Sequence, residues 1–144
     1  MKNSGQVRGL KFLRLWLTLG FLLTGIIIFF SLSPSQPDTT VFSHSDKILH
    51  ILAYGLLMYY FGCIYLPGPA YVKLGIGLIV LGFLLELMQG LIGYRTMEYW
   101  DMFANVTGVL IGWLLSKTRL SSMLIYSENK LALCKKDKDE NIDS

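Results

Sequence analysis

Between Gly82 and Gly108 the chain reads GFLLELMQGLIGYRTMEYWDMFANVTG. Two apolar runs are joined by a short polar loop. The first run carries Glu86 and Gln89 near its end, and the second opens with Asp101 and Asn105. A run of this length without frequent charge is read as a membrane-crossing helix. Charged groups inside such a helix cost roughly 2.5–3.5 kcal/mol each at mid-depth on insertion scales, and less near the interface. They are kept where they have partners or a task, so the rest of the chain is searched for those partners.

Outward from this stretch the composition agrees. Of 144 residues, 53% are hydrophobic and 16% charged, whereas ordinary soluble domains carry about 25% charged residues. The apolar residues are gathered into long runs, which predicts an all-α, polytopic membrane protein, a bundle of four transmembrane helices. The expected spans are about 12–32, 46–66, 71–91 and 101–116. The first follows a basic head, Lys2 to Arg14. A cleavable leader would share that head, but the run outlasts a usual leader core and its small-residue site, Ser31-Leu32-Ser33, is followed by Pro34. An uncleaved span is expected. Pro67-Gly68-Pro69 makes the tight connection between spans two and three. Residues 1–11 form a cytoplasmic N-terminus, residues 12–116 the membrane domain, and residues 117–144 a cytoplasmic tail, partly disordered.

Basic residues orient the bundle. Lys2, Arg8, Lys11 and Arg14 precede span one, Lys73 starts span three, and Lys117, Arg119, Lys130, Lys135, Lys136 and Lys138 lie in the tail. Only Lys47 and Arg95 fall on the other side. Both termini are therefore expected inside, in the cytoplasmic membrane. The mild net charge of +3 points to no nucleic-acid partner.

In that topology the expensive residues collect on the external side. Asp46, Lys47 and His50 open span two, Glu86 and Gln89 lie near the end of span three, Arg95 sits in the loop, and Asp101 and Asn105 open span four. Asp46/His50 and Asp101/Asn105 are spaced i,i+4 and Glu86/Gln89 i,i+3, so each pair shares a helix face. Gly75 and Gly82 continue the face of Glu86, and Gly108 and Gly112 that of Asn105; small residues let helices approach closely in lipid. The polar faces are expected to point into the bundle and form a pocket open to the external leaflet.

Three functions fit such a pocket. It could bind an amphiphilic ligand, with membrane lipids or a lipid-linked envelope precursor as partner. It could act on an envelope lipid or lipid-linked glycan, with His50, Glu86 and Asp101 as candidate acid–base groups and Arg95 or Lys47 holding an anionic headgroup. It could also be a purely structural network that locks the helices of a scaffold or interaction protein. A divalent ion on His50, Glu86 and Asp101 is chemically allowed, but no H-x-x-H spacing supports it, so neither metal nor cofactor is expected. Cys63 and Cys134 stand in no ligand or redox spacing. Tyr54, Tyr65, Tyr71, Tyr94, Tyr99 and Trp100 suit an interfacial aromatic belt. A homo-oligomer is left open.

These blocks carry a resemblance. Asp46-Lys47-x-x-His50-x-x-x-Tyr54, Gly82-x-x-x-Glu86-x-x-Gln89, and Arg95 followed by Asp101-x-x-x-Asn105-x-x-Gly108 are together similar to the VanZ-like family, over about residues 44–116. The resemblance implies a small bacterial integral membrane protein of the cell envelope. It also implies site positions at Asp46, Lys47, His50, Glu86, Gln89, Arg95, Asp101, Asn105 and Gly108, and a link to low-level resistance against teicoplanin-type glycopeptide antibiotics. It names neither a ligand nor a reaction.

Overall fold

The computed structural model describes residues 7–33, 45–92, 98–122 and 125–130. Four long helices follow one another: α1 (Leu13–Leu32), α2 (Ser45–Ile64), α3 (Pro69–Ile92) and α4 (Tyr99–Ser116). A 3-10 turn at Arg119–Ser122 and a short helix at 125–130, α5, come after them. The described residues form no sheet; their one β-bridge pairs Val7 with Tyr65. Among the described residues three helices are long and apolar enough to cross a membrane: Leu13–Leu32, Asp46–Ile64 and Pro69–Ile92. α4 has 18 residues and stands outside that set, because its first two turns carry Asp101 and Asn105.

Helix limits differ from the expected spans by up to two residues. α3 begins at Pro69 rather than near residue 71, since proline suits the first turn of a helix, where its missing N–H is not needed. α2 ends at Ile64, so the bend begins before Pro67. α4 takes in Tyr99 and Trp100.

Packing centres on the α2–α4 crossing. A Cβ on Gly108 would come within 2.5 Å of the Ile51 carbonyl oxygen, and one on Gly112 would collide with the Gly55 carbonyl. The two backbones therefore touch, as small residues four apart permit in a membrane. Below that contact Tyr54, Leu57, Met58, Phe61, Ile64, Tyr71, Leu78 and Val109 form the core. α3 closes it: Gly75 faces the ring of Trp113, and Gly82 faces Asn105 and Tyr54. α1 lies at the periphery, with Gly20 against Tyr60 and Phe61 and the Tyr60 hydroxyl donating to Trp16 O at 2.7 Å. Its Phe21, Phe29 and Phe30 are exposed, which suits a lipid-facing surface.

Tyr99 and Trp100 are exposed, as an aromatic belt requires, whereas Tyr54 and Tyr71 are buried and face other helices. Those two are core residues because their hydroxyls and rings meet other helices: Tyr71 shares a hydrogen bond with Ser116 and stacks edge-on against Trp113. Tyr94 lies outside the described residues.

At the end where α1 starts, the segments flanking the bundle pack together. Arg8 N–H donates to Ile64 O at 2.9 Å, and Arg8 Nη2 donates to Ser121 Oγ at 2.9 Å. Glu128 of α5 is 2% exposed. Its carboxylate accepts from the N–H groups of Lys11 at 2.7 Å and Phe12 at 2.8 Å, and from the Trp16 indole at 2.8 Å. These are the orphan donors at the start of α1, capped by a residue more than a hundred positions away. Glu128 thus docks part of the 117–144 segment, expected to be only partly disordered, against the start of α1.

Candidate functional site

The opposite end, where α2 and α4 begin and α3 finishes, gathers the ionisable residues. Helical periodicity puts them there. Asp46 and His50 lie one turn apart on α2, and Asp101 and Asn105 do the same on α4. Glu86 lies six residues before the end of α3, about 9 Å below it at ~1.5 Å per residue. Because α2 and α4 touch at Gly108, their first turns are held close and the polar faces meet. The faces expected to turn inward do so: Gly75, Gly82, Glu86 and Gln89 of α3, and Asp101, Asn105, Gly108 and Gly112 of α4, are all buried.

His50 Nδ1 lies 3.0 Å from Asn105 Oδ1, and Nε2 lies 3.9 Å from Asp46 Oδ1. Lys47 Nζ is 2.7 Å from Glu98 Oε2 and 3.6 Å from Asp101 Oδ1. Glu98 itself is half exposed, so its pair with Lys47 holds position more than it stabilises; exposed pairs contribute about 0–1 kcal/mol. Asp101 is 1% exposed and Glu86 2%. Glu86 Oε1 accepts from Glu98 N–H at 2.9 Å, while its Oε2 has no hydrogen-bond partner among the described residues.

With the amide oxygen of Asn105 facing the ring, a hydrogen bond there needs the proton on Nδ1; the other ring nitrogen, Nε2, faces Asp46. Among the described residues the cluster therefore sets four carboxylates, Asp46, Glu86, Glu98 and Asp101, against one ammonium, Lys47, and one imidazole. Its deepest members, Glu86 and Asp101, are sealed from water.

Not every expected residue joins it. Gln89 faces α1, where Nε2 donates to Ser31 O at 2.6 Å and Ser31 Oγ at 3.0 Å; it ties α1 to α3. Arg95 lies outside the described residues. Glu98, three residues before Asp101, also joins the site, through its backbone N–H to Glu86 and its side chain to Lys47. Ser31 had no sequence signal, being one hydroxyl in an apolar run. A shallow groove of about 430 Å³ lined by Tyr65, Ala70, Lys73, Leu74, Gly77 and Leu78 lies at the other end of the bundle, away from this chemistry.

Comparison with known proteins yields no matching family model, no matching curated protein and no matching solved structure.

Proposed function

We propose that this chain is a VanZ-like, four-span protein of the bacterial cytoplasmic membrane whose polar cluster binds an amphiphilic or lipid-linked envelope ligand at the outer leaflet. α4 completes the bundle as a short fourth span, its polar first turn at headgroup level, and both termini face the cytoplasm in keeping with the basic residues flanking the opposite end. The resemblance of the Asp46–Tyr54, Gly82–Gln89 and Arg95–Gly108 blocks to that family supports the reading and extends it to glycopeptides of the teicoplanin type. Lys47 and Arg95 would meet an anionic headgroup, and the acyl chain would stay in lipid.

One observation carries the proposal. Glu86 is buried in an apolar helix with one carboxylate oxygen lacking a hydrogen-bond partner among the described residues. A cluster serving only to lock helices would leave that oxygen satisfied, because an unmade bond to a buried acceptor costs about 1–3 kcal/mol. The same oxygen also suits a general base, so an enzyme acting on an envelope lipid or lipid-linked glycan is the second reading.

The test compares lipids, cell-wall precursors and teicoplanin sensitivity in a deletion strain complemented with wild type, Glu86→Gln or Glu86→Ala. Loss of complementation by Glu86→Ala at normal membrane levels supports a site. Partial rescue by Glu86→Gln favours binding, and complete loss favours catalysis. Collapse of membrane levels in both variants sinks the proposal in favour of a structural network.

A further inference from the structure

We infer that Asp46, His50 and Asp101 form a site for a divalent transition-metal cation, of the Zn2+ or Mn2+ class. One ligand atom from each, a carboxylate oxygen from either aspartate and a ring nitrogen from His50, lies within 4.8 Å of the other two. Zinc bonds of about 2.0 Å to oxygen and nitrogen place tetrahedral ligand atoms on the order of 3.3 Å apart. The widest gap therefore closes by about 1.5 Å, within the swing of an aspartate side chain about its rotatable bonds. Two carboxylates and an imidazole suit Zn2+ and Mn2+ better than softer thiolate-seeking ions.

Three further features point the same way. His50 Nδ1 is paired with Asn105 Oδ1 at 3.0 Å, and a metal-bound imidazole is usually held this way, one nitrogen tethered and the other turned to the ion. Glu86, which joins the same end of the bundle through Oε1 and Glu98 N–H, has its buried Oε2 without a hydrogen-bond partner among the described residues. Lys47 has a second partner in Glu98 at 2.7 Å, so it can release Asp101, from which it stands 3.6 Å, without becoming isolated. The ligands come from α2 and α4, whose backbones are locked at Gly55, Gly108 and Gly112, so the geometry is preorganised. Three protein ligands leave a coordination position for water or an oxygen of an anionic headgroup. The ion would sit in the same polar cluster as the proposed lipid ligand, but its binding is tested without a lipid ligand.

The experiment uses the full chain, purified in detergent and stripped with chelator. Zn2+ is titrated against a competing chromogenic chelator, and Co2+ is substituted as a spectroscopic probe. Wild type should take up one equivalent and show a cobalt ligand-field band. His50→Ala and Asp46→Asn should lose the band and at least about 100-fold in affinity, and Asn105→Ala about 10–100-fold, as for groups that orient a ligand. Cys63→Ala should leave both unchanged. Size-exclusion profiles check that each variant remains folded. If Asp101→Asn does not fold, the Asp46 and His50 variants decide alone. The inference is overturned if wild type binds no Zn2+ beyond the His50→Ala protein, or if stoichiometry and cobalt band survive both Asp46→Asn and His50→Ala.

Discussion

His50 Nδ1 and Asn105 Oδ1 meet at 3.0 Å across the first turns of α2 and α4. They are 55 residues apart in sequence, and their contact is the polar counterpart of the glycine crossing one turn below. Interhelical side-chain hydrogen bonds in membranes average about 0.6 kcal/mol and reach about 1.7. A double-mutant cycle of His50→Ala and Asn105→Ala, read by thermal unfolding in detergent, is expected to give a coupling of about 0.5–1.7 kcal/mol. A coupling of zero would mean that the two side chains do not share a proton.

The crossing itself is more sensitive. Gly108→Ala drives a methyl group to within 2.5 Å of Ile51 O, backbone that cannot rotate away, so α4 must shift. Overpacking of this kind costs about 1–3 kcal/mol. Gly77→Ala meets nothing within 4 Å and should be neutral or stabilising by about 0.5–1 kcal/mol, the ordinary gain of alanine over glycine in a helix. Paired thermal melts of the two variants should move in opposite directions.

Glu86→Gln keeps an acceptor for Glu98 N–H and removes an ionisable group from a site that is 2% exposed. Its melting temperature should equal or exceed that of wild type while the deletion phenotype is not fully rescued. Such a gain in stability with a loss in function is the usual mark of a functional site built against local stability. A markedly lower melting temperature would instead make Glu86 a structural residue.

Burial of the Glu128 carboxyl disfavours its charge, but the N–H groups of Phe12 and Lys11, the Trp16 indole and the Lys11 charge outweigh it and hold the carboxyl below the usual range. A depressed acid stabilises the folded state above its unfolded value, about 4.3, and loses that contribution as pH falls from there through the folded value. Docking of α5 should thus be intact at neutral pH and weaken in acid. The Trp16 indole N–H resonance should shift across that window, and Glu128→Gln should abolish the shift.

The sequence by itself determined the helices, their order and which faces turn inward. Long apolar runs can satisfy their backbone in lipid only as helices, and the 3.6-residue period fixed Glu86 with Gln89 and Asp101 with Asn105 before any contact was known. It did not determine who meets whom. Gln89 shares a face with Glu86 yet bonds Ser31 of α1, because a helix face is wide enough to touch two neighbours. Tyr71 sits near a helix end but is buried, and Tyr54 lies at mid-helix and is buried too, since lateral packing rather than depth decides exposure. Glu128 looks like one more charge in a charged tail until the start of α1 offers it three donors. The convergence of Asp46, His50 and Asp101 likewise depends on how closely Gly108 lets α4 approach α2. That distance is a property of two surfaces together, and neither helix carries it alone.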